Sequence, residues 1–205
     1  YTLSDVCSSE YYRSLAIARA VVDRWPGSDI SFLVSRDADY AQGGPFPTQL
    51  LDRSPTFESA AVIRAIRDLR PHVVVFDSAG RVDQQHAARR VGARVVFIAS
   101  RPSIRRKAFA LRRLRATDQL WLAQPRFLGG QLTAWEQWKR RIAPQLDVRL
   151  LEAHRIAEGD RRHDRQLVRR VHALDVEGRV GLGIAETLRL PEHRVEGQAL
   201  VAHLG

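Results

Sequence analysis

The residues best suited to chemistry lie just before the first predicted helix. Apolar residues recur at helical spacing through residues 14–24, and a Trp-Pro-Gly sequence ends that helix. In the preceding stretch, residues 4–13, Ser8 and Ser9 can cap the helix, and free N–H groups there can hold an anion or a sugar hydroxyl. Glu10 is expected to face the same crevice, where a carboxylate can act as a general base. The alternative is that Glu10 only completes a capping box.

Further polar side chains directly follow two apolar runs, at 72–76 and 94–99. Asp77 and Ser78 come after the first run, and Arg101 comes shortly after the second. Ligands of open parallel sheets bind beyond the carboxyl ends of the strands, so these residues are candidate substrate contacts. Asp77 can bind a hydroxyl or cap the next helix, and Arg101 can reach a phosphate.

A basic stretch, RPSIRRKAFALRRLR, covers residues 101–115. Read as one helix, it places arginines around apolar residues and can lie on anionic lipid head groups, with Trp135 and Trp138 as nearby interfacial anchors. The alternative is a helix that covers the sheet and has a solvated outer face. The candidate membrane or phosphate contacts are Arg105, Arg106, Lys107, Arg112 and Arg113.

The elements that must position these residues alternate along the chain. Uniformly apolar runs predict strands at 30–34, 72–76, 94–99 and 119–123, and helical periodicity predicts helices at 14–24, 57–69, 82–91 and 102–115. Strands this apolar are typical of a parallel sheet covered on both faces. We therefore predict an α/β fold, a Rossmann-like open parallel sheet with helices on both faces.

The ends of the pattern predict the domain organisation. A first strand should precede the first helix, and we expect it upstream of Tyr1. Residues 35–55 are rich in glycine and proline and are predicted to be irregular. Residues 1–175 are expected to form one Rossmann-like domain, which ends with a strand at 147–151 and a basic helix at 160–173. Residues 176–197 are a predicted linker, and 198–205 the first strand of a second domain.

Composition narrows the class of protein. The 205 residues are 44% hydrophobic and carry a net charge of +10, and Lys107 and Lys139 are the only lysines. This surplus of arginine indicates an anionic partner or a codon bias towards arginine. Cys7 is the only cysteine and no apolar run is long enough to span a membrane, so we expect a cytoplasmic protein. The histidines show no metal-site spacing, and we predict no metal.

Residues 7–20, CSSEYYRSLAIARA, resemble the motif G-x-G-H-x-x-R followed by S-L-A-x-A. This motif belongs to nucleotide-sugar enzymes of the GT-B fold, among them the N-acetylglucosaminyltransferase of peptidoglycan synthesis and the hydrolase of pseudaminic acid synthesis. Residues 71–100 also resemble the family's P-D-V-V-V-x-D strand, helix and next strand. Cys7 and Ser9 stand where the family has glycines, and Glu10 stands where it has the catalytic histidine.

The resemblance implies two Rossmann-like domains, of which this chain is the acceptor-side one. It implies a glycosyltransferase, inverting at the sugar, that uses a nucleotide-sugar donor and a lipid-linked or cell-envelope glycan acceptor at the inner face of the cell membrane, with no cofactor. Glu10 would be the base, and Arg13 a phosphate contact. The second domain would hold most of the donor, so we expect the chain alone to be inactive.

Two other functions remain open from the sequence. In a nucleotide-sugar hydrolase, Glu10 would activate water instead of a sugar hydroxyl. In a non-catalytic module of the same fold, the arginines would bind nucleic acid. Aromatic residues make up only 7% of the chain and form no evident stacking platform, so nucleic acid is not the expected partner.

Overall fold

Seven parallel strands form one open sheet in the described part of the chain, in the order β2-β1-β7-β3-β4-β5-β6. The structure, a computed structural model, describes residues 3–38, 43–123, 131–150 and 198–203. The strands are β1 Asp29–Ser35, β2 Thr48–Leu51, β3 Val73–Asp77, β4 Arg94–Ala99, β5 Gln119–Leu122, β6 Asp147–Leu150 and β7 Gln198–His203. The helices are α1 Leu3–Arg24, α2 Ser59–Leu69, α3 Val82–Arg90, α4 Pro102–Ala108, α5 Leu111–Leu114 and α6 Ala134–Arg141.

Helices cover both faces of this sheet, which explains why its central strands are apolar throughout. Along β3, Val74 and Phe76 belong to one hydrophobic cluster, and Val73 and Val75 belong to the other. Successive side chains of a strand point to opposite faces, so both faces are buried. The predicted α/β fold with a Rossmann-like open sheet is confirmed.

Helix α1 is longer than predicted, because it begins at Leu3 rather than at residue 14. No glycine or proline interrupts residues 3–24, so nothing in the sequence ends the helix earlier. The expected loop at 4–13 is therefore helical, and Ser8 and Ser9 stand inside the helix instead of at its cap. Glu10 lies two turns beyond the helix start and does not form the alternative capping box.

The predicted helix at 102–115 is two helices, α4 and α5, separated by Phe109 and an extended Ala110. Phe109 and Leu114 are both fully buried in the same cluster. In one continuous helix, five residues at about 100° each would place these side chains roughly 140° apart. The break at Ala110 lets both of them enter the core.

Two further segments differ from the prediction. The stretch predicted to be irregular contains edge strand β2, which begins directly after Pro47. Proline is tolerated at the start of a strand, so Pro47 does not prevent this pairing. Strand β7 pairs with both β1 and β3 at the centre of this sheet instead of opening a second domain. An apolar run predicts a strand but does not specify which sheet the strand joins. The predicted linker 176–197 and basic helix 160–173 lie outside the described residues.

Candidate functional site

Arg13 and Asp77, which were predicted separately as substrate contacts, bind each other. The Nε of Arg13 donates to Asp77 Oδ2 at 2.9 Å, and its Nη2 donates to Oδ1. The hydroxyl of Ser14 also donates to Oδ2, at 3.0 Å. Burial raises the pKa of the fully buried Asp77 carboxyl, and Arg13 beside it opposes the rise. This pair fastens α1 to the carboxyl end of β3.

Asp77 does not cap the helix that follows it. Helix α3 begins at Val82, and the side chain of Gln84 accepts a hydrogen bond of 2.9 Å from the backbone N–H of Arg81. The start of α3 is therefore bound by residues of that helix itself, since Asp83 Oδ1 also accepts from the N–H of Gln84 at 3.0 Å. Both oxygens of Asp77 are already bound within the protein.

Glu10 lies on α1 one turn before Arg13, and its side chain is only 3% exposed. The Nη2 of Arg101 donates to Glu10 Oε1 at 2.6 Å, and the hydroxyl of Ser100 lies 3.5 Å from the same oxygen. The other oxygen, Oε2, is buried and has no hydrogen-bond partner among the described residues. A buried carboxylate oxygen without a donor costs free energy, so this position is suited to a donor from outside the chain.

Two serines link the carboxylates. The hydroxyls of Ser78 and Ser100 lie 2.8 Å apart, and that of Ser78 lies 3.4 Å from Asp77 Oδ1. Ser78 follows β3 in the left-handed conformation, at φ 57°, and its N–H donates to the carbonyl of Ile98. Ser14 was not predicted as a site residue, because its partner Asp77 lies 63 residues away in the sequence. Ser100 was expected only as a possible cap of the next helix, since its contact with Glu10 spans 90 residues. The one signal for Ser100 is that it directly follows β4, next to β3 in the sheet.

Two of the predicted membrane contacts have structural roles instead. Arg105 is buried, donates to both carboxylate oxygens of Glu136, and also donates to the carbonyl of Gln131. Arg113 donates to the Gly80 carbonyl at 3.0 Å, and its guanidinium lies 4.6 Å from the centre of the Phe97 ring. Burial lowers the pKa of Arg113.

The remaining cations of the basic stretch are on the surface. Arg106, Lys107 and Arg112 are exposed, and Arg101 is exposed over about half of its side chain. Most of the apolar residues between them, Ala108 and Leu114 included, pack in the core, whereas Leu111 is 39% exposed. The sheet-covering alternative therefore accounts for the apolar side of this stretch.

The site brings together Glu10, Arg13, Asp77, Ser78 and Arg101, while the side chains of the predicted Ser8 and Ser9 lie outside what the structure describes. At this edge, Glu10 Oε2 can accept a proton or a hydrogen bond from a hydroxyl or from water. Within the described ranges, no three histidine, cysteine, aspartate or glutamate side chains are grouped so as to hold a metal ion.

Comparison with protein-family models, with curated proteins and with solved structures finds no match to this chain. Among the helices that the structure describes, none has both the length and the apolar character that crossing a membrane requires.

Proposed function

We propose that this chain is the acceptor-side domain of a nucleotide-sugar glycosyltransferase of the GT-B type, with Glu10 as its general base. One observation carries the proposal: Glu10 Oε2 is buried at the carboxyl edge of a Rossmann-like sheet and lacks a partner among the described residues. In this fold class ligands bind at that edge. The resemblance of residues 7–20 to the family motif supplies the classes of donor and acceptor.

In the proposed reaction, the oxygen of the acceptor hydroxyl attacks the anomeric carbon of the donor sugar. Oε2 of Glu10 takes the proton from that hydroxyl. The bond from the anomeric carbon to the phosphate breaks, and its electron pair leaves with the nucleoside diphosphate. Attack from the opposite face inverts the anomeric configuration. Arg101 binds the other oxygen of Glu10, which keeps Oε2 directed away from it.

The proposed acceptor is a lipid-linked or cell-envelope glycan at the inner face of the cell membrane. Arg13 and Asp77 have positioning roles in this proposal, because their side chains bind each other. They hold the turn of α1 that carries Glu10. Arg101 is proposed both to orient Glu10 and to present its exposed half to an anionic part of the substrate.

The test replaces Glu10 with glutamine in the full-length protein that contains this chain. Release of nucleoside diphosphate is measured over a panel of nucleotide sugars, with and without a glycan acceptor. We expect Glu10→Gln to lower turnover by about 10²- to 10⁴-fold, the usual contribution of a general base. Glu58→Gln is the matched control, since Glu58 makes no side-chain cap to α2 and is predicted to leave turnover unchanged.

Turnover of Glu10→Gln close to that of the unmodified protein would refute the assignment. Thermal unfolding of both variants shows whether any loss reflects misfolding. Release of free sugar in the absence of an acceptor would identify the hydrolase instead, in which the same oxygen receives its proton from water.

A further inference from the structure

Helix α6 exposes its aromatic residues instead of packing them against the sheet. Trp135 is 60% exposed and Trp138 is 44% exposed, and the next turn adds Ile142 at 45%. The two indole rings stack with their centres 4.6 Å apart and their planes at 7°. None of the residues of this helix is buried. A cluster of large exposed apolar side chains is typical of an interaction surface.

Polar contacts hold this helix, so its aromatic residues are not needed to attach it. Thr133 and Glu136 form a capping box, with hydrogen bonds of 2.9 and 3.2 Å. The Nε and Nη2 of Arg105 donate to Glu136 at 2.8 and 2.7 Å. These bonds tie the first turn of α6 to α4.

Cations accompany the exposed aromatic residues in α6 and in α4, and the ammonium of Lys139 lies 5.0 Å from the centre of the Trp135 ring. Lys139, Arg140 and Arg141 follow them in α6, and Arg106 and Lys107 flank the buried Arg105 on α4. Within the described ranges none of these five cations forms an ion pair, and Arg105 neutralises the acidic residue of this helix, Glu136. The surface therefore combines interfacial aromatic side chains with unneutralised positive charge.

We propose that this surface, Trp135, Trp138 and Ile142 with the five cations, docks on an anionic phospholipid bilayer. Tryptophan favours the level of the head groups, and lysine and arginine are attracted to anionic lipid. The docking residues thus lie mainly in α6, where the sequence analysis expected Trp135 and Trp138 as anchors, and only Arg106 and Lys107 come from the arginine stretch. The inference does not depend on the proposed transferase activity.

The size and geometry of the surface favour lipid over a macromolecular partner. Helix α6 has eight residues and is therefore about 12 Å long. A stable protein interface buries about 800 Å² on each partner, more than two indoles and one isoleucine provide. Stacking of nucleic acid bases needs free aromatic faces, whereas here each indole gives one face to the other and the ammonium of Lys139 lies over the Trp135 ring.

The experiment is sedimentation of the full-length protein with vesicles of phosphatidylcholine, alone or with added phosphatidylglycerol. Binding is expected only to the anionic vesicles and should weaken as salt is raised. Replacing Trp135 and Trp138 with alanine should reduce the affinity at least tenfold. Replacing Lys139, Arg140 and Arg141 with glutamine should reduce it on the order of a hundredfold, at about 1 kcal/mol for each cation near the surface.

The control is a triple glutamine variant of Arg64, Arg67 and Arg70, which are exposed on or just after α2 and carry the same total charge. It should bind the anionic vesicles nearly as well as the unmodified protein. Four results would overturn the proposal: no binding to anionic vesicles, equal binding to neutral ones, equal loss in the α2 variant, or retention of binding without the two tryptophans. Loss of binding to RNA or to a protein in the tryptophan variant, with vesicle binding unchanged, would assign the surface to that other partner.

Discussion

Removing either side chain of the Arg13–Asp77 pair tests whether a buried ion pair holds α1 on the sheet. The two side chains differ in burial, since that of Asp77 is fully buried and that of Arg13 is 24% exposed. The two single substitutions should therefore differ in cost. Each substitution leaves one charged side chain without its partner, and that charge is fully buried when it is Asp77 but partly exposed to water when it is Arg13.

The larger loss is expected for Arg13→Met, because it leaves a carboxylate without its cation in the protein interior. Breaking a buried pair in this way typically costs about 3–5 kcal/mol. In Asp77→Asn the remaining Arg13 can turn its exposed part towards water, so we expect about 1–3 kcal/mol. The double variant should cost less than the sum of the two, with a coupling of about 1–3 kcal/mol.

The pH dependence of Arg13→Met has a defined sign. Without Arg13, only the hydrogen bonds from Ser14 and Ser78 oppose the effect of burial, and the pKa of the Asp77 carboxyl rises further. A carboxyl whose pKa is higher in the folded state than in the unfolded state contributes stability at low pH, which is lost as the pH rises through the folded pKa. The deficit of Arg13→Met should therefore shrink towards acid pH and grow towards neutral pH.

The assay is urea unfolding followed by tryptophan fluorescence, to which the fully buried Trp121 contributes together with three other tryptophans. The matched control is the exposed pair Arg36–Asp52, whose side chains are 67% and 79% exposed at 2.9 Å. Arg36→Met should change the free energy of unfolding by no more than about 1 kcal/mol. A loss for Arg13→Met no larger than that for Arg36→Met, or additive losses in the Arg13/Asp77 double variant, would show that this ion pair does not hold α1 on the sheet.

Two further predictions concern the neighbourhood of the site. Gly80 has φ 96°, and a Cβ there would lie 2.4 Å from Phe76 Cδ1, so Gly80→Ala should destabilise the protein by about 2–4 kcal/mol. Gly92 also has a positive φ but open space around it, so the control Gly92→Ala should cost only about 1 kcal/mol, and equal thermal shifts for the two variants would contradict this. Burial acts to raise the pKa of Glu136, but hydrogen bonds from Arg105 and Thr133 bring this pKa below its ordinary value of 4.5. The stability that the Glu136 carboxylate adds is therefore complete above pH 4.5 and is lost as the pH falls through the lower pKa of the folded state. The difference in unfolding free energy between the unmodified protein and Glu136→Gln should vanish over that acid range, and a difference that persists below it would count against the pair.

The framework of the fold could be predicted because it depends on local patterns. The residues of β3 and β4 are apolar at nearly every position, since helices cover both faces of the sheet. Strand β2 was missed because it is short, at the edge and partly exposed, so its pattern does not differ from that of a loop. The break between α4 and α5 was missed because it depends on how Phe109 and Leu114 share the core, which periodicity does not report.

The site was predicted as a set of residues but not as a set of contacts. Glu10, Asp77 and Arg101 were placed at the same edge because they precede a helix or follow parallel strands. Their partners lie 64 and 91 residues away in the sequence, and pairing at that distance depends on the rotation of α1 about its axis. For this reason the sequence assigned Arg13 and Asp77 to a substrate, whereas the structure pairs them with each other.

The contacts also explain why Glu10, and not Asp77, is the better candidate base. Arg13 and Ser14 bind both oxygens of Asp77, whereas Oε2 of Glu10 has no donor among the described residues. Ser78 and Ser100 have two hydroxyl hydrogens for three contacts: 3.4 Å to Asp77, 2.8 Å to each other and 3.5 Å to Glu10. If these hydrogens point towards Asp77, Glu10 loses its serine donor and keeps only Arg101. Asp77 retains at least three hydrogen bonds in either arrangement, so the carboxylate with unmet hydrogen-bonding capacity is always Glu10.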